Sequence, residues 1–114
     1  MPYLEILTTT KVEKAEEMKL HHELARLIEL IPGKSERWVM THIEDEAKMA
    51  FAGSNEEPVA MVTVKTFGEL LTEQYDMLTK EICLSLSSAL NVPQERLYVK
   101  YESINHWGWN GGNF

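Results

Sequence analysis

The stretch Pro2-Tyr3-Leu4-Glu5-Ile6-Leu7-Thr8 opens the chain with an apolar run directly behind a proline. Branched, aromatic and other apolar side chains favour extended backbone, and the run predicts a β-strand from Pro2 to about Thr8. The next residues, Thr10-Lys11-Val12-Glu13, form a capping-box pattern with Thr10 as N-cap. They predict a helix, whose apolar face carries Leu20, Leu24, Leu27 and Ile31 and which Pro32-Gly33 ends.

The same order of elements then repeats. Arg37 to Glu44 predicts a strand covered on both faces, and a second buried strand is predicted over Val59 to Val64 after a turn cluster at Gly53. A second long helix follows Phe67-Gly68, with apolar residues at three- and four-residue spacing: Leu71, Tyr75, Leu78, Ile82, Leu86 and Ala89. A last strand is predicted over Arg96 to Glu102, and the Gly- and Trp-rich tail after it is not helical.

Two strand-helix-strand units with right-handed crossovers most simply form one four-stranded mixed sheet with both helices on one face. The predicted fold class is therefore α+β, a two-layer α/β sandwich. The other sheet face is left bare. Since the strands look apolar on both sides, we expect that face to pack against other subunits.

Composition narrows the class of protein. The 114 residues fit one domain over 1–114, with 44% hydrophobic and 25% charged residues. A net charge of −7 argues against binding nucleic acid or an anionic membrane. The single cysteine, Cys83, excludes an internal disulfide and reads as a small buried apolar residue. No signal peptide or apolar run of about 18 residues is present, so we expect a cytoplasmic protein, with any export independent of a signal peptide.

Pro2 is the residue with the most direct chemical use. If Met1 is removed, Pro2 becomes a secondary amine at the chain terminus, and α-amino groups have reference pKa values of about 7.7–8.0. Modest burial or a nearby cation would make such an amine neutral and basic at cellular pH. While Met1 is attached, the Pro2 nitrogen is an amide and cannot act as a base. On Pro2 alone, a proline that follows Met1 by chance is the simpler reading.

Several motifs, in order and at matching spacing, resemble the macrophage migration inhibitory factor family of the tautomerase superfamily. They are Met1-Pro2 before a strand, Pro32-Gly33-Lys34, Met49-Ala50-Phe51-Ala52-Gly53-Ser54, Arg96-Leu97-Tyr98-Val99 and Trp107-Gly108-Trp109-Asn110-Gly111. The resemblance implies a homotrimer without cofactor or metal. It also implies keto–enol tautomerisation of phenylpyruvate-type, and possibly dopachrome-type, substrates, with Pro2 as base and Lys34 as the cation for the substrate carboxylate. Without the resemblance, Lys34 would read as a cation near a helix C-terminus.

The resemblance further implies a substrate pocket at each subunit interface, with Tyr98 contributed by the adjacent subunit. Lys100 stands where the family usually has asparagine. It either adds a second cation to the pocket or pairs with Glu102 or solvent, and both readings stay open. The implied lining is more aromatic than is common in the family: Phe67, Trp107, Trp109 and Phe114. These rings should favour a flat aryl group.

Two rival functions remain at this stage. One is a cytokine-like module that binds a protein receptor, with incidental tautomerase activity, and the other is a related proline-based enzyme acting on a different unsaturated acid. The aryl-lined pocket argues against the second. A thiol oxidoreductase is disfavoured because Val59 to Val62 replaces the Cys-x-x-Cys of some relatives. The four histidines match no catalytic role, and the adjacent pair His21-His22 favours a structural or solvated role over metal binding.

Overall fold

The computed structural model describes residues 2–114, so the expectation about Met1 lies outside the described residues. The main strands are β1 (Pro2–Thr8), β2 (Met40–Glu44), β3 (Ala60–Phe67) and β4 (Leu97–Ile104). The helices are α1 (Lys14–Ile28) and α2 (Thr72–Leu90), with short 3-10 helices at Glu36–Trp38 and Gln94–Arg96. Two short strands, β5 (Gly108–Trp109) and β6 (Gly112–Asn113), form a hairpin in the tail.

The four main strands form one mixed sheet in the order β2-β1-β3-β4. β1 runs parallel to β2 and antiparallel to β3, while β3 and β4 are parallel. In the β1–β3 register, Pro2 lies opposite Thr66 and Thr8 lies opposite Ala60. The predicted four-stranded mixed sheet is confirmed, and β1 is one of its two inner strands.

Both helices pack on the same face of this sheet. Alternate residues of the inner strands point toward the helices, as the two-residue period of a strand requires. The fully buried side chains come from both layers: Leu4, Ile6, Val62 and Val64 from the sheet, and Leu24, Ile28, Leu78, Ile82 and Leu86 from the helices. They belong to one hydrophobic cluster, which confirms the predicted two-layer α+β sandwich.

The predicted capping box at the start of the first helix is wrong. The helix begins at Lys14, after Glu13, and Glu13 makes no side-chain capping bond. The Thr10 hydroxyl instead donates to the Leu90 carbonyl at 3.0 Å, at the end of α2. The Val12 N–H donates to the Asp45 carboxylate at 2.8 Å. These two bonds tie residues 10–12 to the end of α2 and to Asp45, so the helix begins only at Lys14.

The strand predicted from Arg37 begins later than expected. The side-chain oxygen of Ser35 accepts the Arg37 N–H at 3.2 Å and caps the short helix Glu36–Trp38, so β2 starts only at Met40. β2 is an edge strand, and Met40 is 66% exposed. The strand is therefore not covered on both faces in the single chain.

The expectation of an apolar open face is also wrong. Side chains on the face away from the helices alternate between apolar and charged types. The ionisable members are Glu5, His42, Glu44, Lys65, Lys100 and Glu102, among Tyr3, Leu7, Met61 and Tyr98. His42 Nδ1 lies 3.0 Å from the Tyr3 hydroxyl and 3.4 Å from a Glu5 oxygen. This face therefore offers both polar and apolar side chains to a neighbouring molecule.

Two tyrosines hold their phenol protons more tightly in the folded chain than in the unfolded one. Burial is the main cause of the raised pKa of Tyr101, whose hydroxyl lies 2.7 Å from that of Thr79 on α2. Burial and then the Glu5 carboxylate raise the pKa of Tyr3. Both groups start from an ordinary value of 10.0. Burial likewise raises the pKa of the half-buried Cys83 thiol, which lowers its reactivity near neutral pH.

This predicts a loss of stability in alkali. Because the folded-state pKa values are raised, the contribution of the two tyrosines to the free energy of unfolding is fully present below about pH 10. It is lost as the pH rises through the pKa values of the folded chain. Urea unfolding followed by circular dichroism at pH 8 and pH 11 should show a smaller pH-dependent loss in Tyr101→Phe than in the unaltered chain. The double variant Tyr3→Phe/Tyr101→Phe should lose least. An identical loss in all three proteins would contradict the assignment.

Candidate active site

The topology brings four separate segments to one edge of the sheet, which we call the Pro2 edge. β1 and β2 begin there, and β3 and β4 end there, because β3 runs antiparallel to β1. Helix α1 runs back across the sheet, so the connection of residues 29–39 returns to the same edge. The tail after Ile104 also starts there, and the Gly68 N–H donates to the Ile104 carbonyl at 3.0 Å.

Four aromatic side chains make a continuous contact series at this edge, here called the aromatic arch: Phe67, Phe114, Trp109 and Trp38. The ring centroids are 6.0 Å apart for Phe67 and Phe114, and 6.2 Å apart for the nearly parallel pair Phe114 and Trp109. Trp109 meets Trp38 edge-on at 5.0 Å. Phe67 directly follows Thr66, which lies opposite Pro2, and Trp38 comes two residues before β2. The arch therefore joins the two strands that flank Pro2.

The tail hairpin holds two members of the arch in place. Asn110 and Gly111 adopt positive φ angles of 52° and 84°, as a tight two-residue hairpin turn requires. The Phe114 N–H donates to the Trp107 carbonyl at 3.0 Å and closes the hairpin. Trp107 thus supports the arch through its backbone, and its half-buried ring lies at the same edge.

Lys34 reaches the Pro2 edge through the connection after α1. Helix α1 ends at Ile28, and a further turn continues to Ile31, which is buried. Gly33 has a φ of 84°, and the Lys34 N–H donates to the Ile31 carbonyl at 3.0 Å. The structure therefore places Lys34 at the same edge of the sheet as Pro2, on a turned segment rather than on a helix.

Tyr98 lies at the opposite end of the sheet. It pairs with Met61, five positions along β3 from the Thr66 that faces Pro2, which is about 17 Å at the usual rise per residue. Its ring is 61% exposed and contacts Phe51 at 5.2 Å. Arg96 braces this end, because its guanidinium donates to the carbonyls of Ser54, Glu57 and Pro58. One chain therefore does not bring Tyr98 to Pro2.

Lys100 shares the open face and the same half of the sheet with Tyr98. Its amino group lies 3.9 Å from a Glu102 carboxylate oxygen, and its side chain is 55% exposed. The ion pair is long and solvated, so it holds Lys100 only weakly. The single chain thus shows Lys100 beside Glu102 and free to turn toward a neighbouring molecule.

A cavity of about 450 Å³ lies away from the Pro2 edge. It lies between the start of α1 and the end of α2, at the other end of the molecule, and Lys11, Glu13, Glu16, Lys19 and Glu23 contribute to its lining. These charges pair with one another or with nearby groups, as in Lys19–Glu16 at 3.6 Å and Ser85–Glu23 at 3.1 Å. The Pro2 edge is the stronger candidate, because it combines Pro2, a cation and exposed aromatic rings.

Sequence reasoning missed Trp38 as a site residue. The sequence pattern predicts that Trp38 lies inside a strand, whereas the structure places it in the short helix Glu36–Trp38 with its ring against Trp109. The tail hairpin was also missed, although Asn110-Gly111 is a strong sequence signal for a tight hairpin turn. Within residues 2–114, no helix is long and apolar enough to cross a membrane.

Comparison with known proteins agrees with this architecture. The family model described as macrophage migration inhibitory factor matches residues 1–114. The macrophage migration inhibitory factors of Xenopus laevis and Mus musculus are 30% and 29% identical over 94 residues, which is 81% of each chain. The crystal structure of Leishmania major MIF2 superposes with a TM-score of 0.91 at 32% identity, and the match covers 100% of this chain and 97% of that one.

The two-layer α+β fold and these matches define the class as the tautomerase superfamily, whose members are isomerases. Within that superfamily, the chain belongs to the macrophage migration inhibitory factor family.

Proposed function

We propose that this protein is a keto–enol tautomerase of arylpyruvates, of the phenylpyruvate type and, by extension, the dopachrome type, with Pro2 as the catalytic base. The observation that carries the proposal is the convergence of Pro2, Lys34 and the aromatic arch at one edge of the sheet. An arylpyruvate offers a carboxylate, an acidic carbon and a flat ring. The edge offers a cation, a terminal nitrogen and aromatic side chains.

The reaction is a proton shift within the substrate. The neutral Pro2 nitrogen takes a proton from the carbon between the ring and the ketone, and the electron pair of that C–H bond forms the enolate. The keto oxygen, which gains the negative charge, then takes the proton back from the protonated Pro2 amine, directly or through water, which gives the enol and restores the neutral amine. Lys34 binds the carboxylate, and its charge disfavours protonation of the nearby amine, which keeps Pro2 in its basic form. The proton shift requires no electron donor or acceptor.

Phe67, Trp107, Trp109 and Phe114 are proposed to bind the aryl ring on the Pro2 side of the pocket. Tyr98 and Lys100 are proposed to complete it from an adjacent subunit of a homotrimer. This arrangement explains why Tyr98, which lies about 17 Å from the Pro2 edge along the strand direction of one chain, is still exposed. A closed ring of three copies would place the Tyr98 end of one sheet against the Pro2 edge of the next.

The role of Pro2 predicts that activity requires a free proline nitrogen. Intact mass first establishes whether Met1 is absent, and enol–keto conversion of phenylpyruvate is then followed by absorbance. An alanine inserted between Met1 and Pro2 keeps the ring but acylates its nitrogen, so the rate should fall at least about 100-fold, the usual contribution of a general base. Pro2→Gly, which keeps a primary amine, should retain more activity than the insertion but less than the processed chain.

Circular dichroism spectra and melting temperatures must match across these proteins, so that folding does not explain the difference. Equal rates for the processed chain, Pro2→Gly and the insertion variant would remove Pro2 from the mechanism. In that case a cytokine-like binding role would become the better reading of the family assignment.

The shared pocket predicts complementation between two defective chains. Pro2→Gly and Tyr98→Ala should each be impaired alone. When they are unfolded together at equal concentration and refolded, about one site in four joins an intact Pro2 to an intact Tyr98, by random mixing around a closed ring. The mixture should therefore exceed the mean rate of the two separately refolded variants. A rate equal to that mean would place the whole site in one chain.

Lys100 predicts a change in substrate affinity. Lys100→Asn should raise the apparent KM for phenylpyruvate about two- to fivefold, because a solvated cation contributes modestly to binding a carboxylate. Glu102→Gln should have the opposite effect, since it removes the competing carboxylate 3.9 Å away. Lys80→Asn, an exposed change on α2 with the same loss of charge, is the control. No difference between the Lys100 and Lys80 variants would exclude Lys100 from the pocket.

A further inference from the structure

Arg37 lies at one end of the aromatic arch and differs from the other two arginines of the chain. Arg26 pairs with Glu23 at 2.8 Å, and Arg96 donates to backbone carbonyls. The Arg37 guanidinium carbon lies 5.1 Å from the centroid of the Trp38 ring. In the part of the chain that the structure describes, no carboxylate is recorded in a salt bridge with it.

The local backbone fixes this position. Arg37 is the middle residue of the short helix Glu36–Trp38, and its N–H donates to the Ser35 side-chain oxygen at 3.2 Å. Trp38 is in turn held by the edge of Trp109. The exposed Arg37, three residues beyond Lys34, therefore contacts the aromatic arch through the Trp38 ring, which is itself packed against Trp109.

A guanidinium that lies over an aromatic ring in a cation–π contact keeps its N–H groups available for hydrogen bonds. Those groups match a carboxylate or a similar planar anion, which they can bind through two parallel hydrogen bonds. The contact with Trp38 also restricts the long side chain before binding, so that less conformational freedom is lost when an anion binds. Glu36 is the neighbouring acidic residue, and it is exposed on the same short helix.

We propose that Arg37 determines substrate specificity by binding a second anionic group on the aryl ring, remote from the keto acid. The inference rests on the proposed function, because Lys34 and Pro2 fix the keto-acid end of the substrate. The favoured substrate class is then arylpyruvates with a ring carboxylate or a comparable acidic substituent. The chain carries a net charge of −7, so such a dianion is attracted only where local cations are exposed.

The test compares phenylpyruvate with 4-carboxyphenylpyruvate as substrates of the processed full-length protein. In Arg37→Gln, the ratio of kcat/KM for the carboxylated substrate to kcat/KM for phenylpyruvate should fall about three- to fivefold at low salt. Arg37→Lys should fall in between, because it keeps the charge but not the planar fork. Arg26→Gln, an arginine on the exposed side of α1, removes the same net charge and should leave the ratio unchanged.

A binding measurement separates this inference from the proposed reaction. Quenching of tryptophan fluorescence by 4-carboxyphenylacetate and by phenylacetate reports affinity without turnover, and Arg37→Gln should weaken binding of the dianion more. An unchanged ratio in both experiments overturns the inference. If both ligands lose affinity equally, the ratio is also unchanged, and Arg37 then only positions Trp38. Absence of tautomerisation with an intact difference in binding overturns the proposed reaction and leaves the anion site standing.

Discussion

The pairing of β1 between β2 and β3 is the constraint on which the rest of the structure depends. An inner strand must pair on both sides, and a proline can occupy only its first position without removing a ladder hydrogen bond. Pro2 therefore stands at the rim of the sheet, opposite Thr66, while Leu4 and Ile6 are completely buried a few residues later. The hydrophobic core that holds β1 thus also fixes the position of the Pro2 nitrogen.

The same constraint determines what else surrounds Pro2. Because β2 is parallel to β1 and β3 is antiparallel to it, the start of one neighbour and the end of the other reach the same edge. Trp38 and Phe67 come from those two positions, and the tail hairpin connects their rings through Trp109 and Phe114. The directions of the strands thus bring segments that are distant in the sequence together at one site.

Periodicity predicted the fold well, because burial on one helix face or strand leaves a regular mark in the sequence. Leu24, Leu78 and Ile82 were placed on apolar helix faces and are completely buried. It failed where a hydrogen bond from a distant residue decides the local conformation. Thr10 looked like an N-cap, but its hydroxyl reaches the Leu90 carbonyl, 80 positions away in the chain. The predicted start of β2 is wrong for a similar reason, because the Ser35 side chain caps a short helix in its place.

The candidate site could be predicted only in part for a related reason. The chemistry of an amine after Met1 removal singles out Pro2, and the family resemblance singles out Lys34. No sequence period marks Trp38 or Arg37, whose positions depend on one turn of 3-10 helix. The open sheet face was misjudged because residue types were averaged along each strand. Register matters there, since it collects the ionisable residues Glu5, His42 and Lys100 on the open face and directs Leu4 and Ile6 to the helices.

That polar open face bears on how activity and folding are related. The two-layer core of Leu4, Ile28 and Leu86 lies within one chain, so the chain does not need a neighbour to bury its main apolar cluster. Under the proposed arrangement, however, Tyr98 reaches Pro2 only from a neighbour. Assembly through a charged face is sensitive to salt and pH, while the core is not. Dissociation would thus separate Tyr98 from Pro2 and end catalysis while the two-layer fold remains intact, so that activity reports assembly rather than folding.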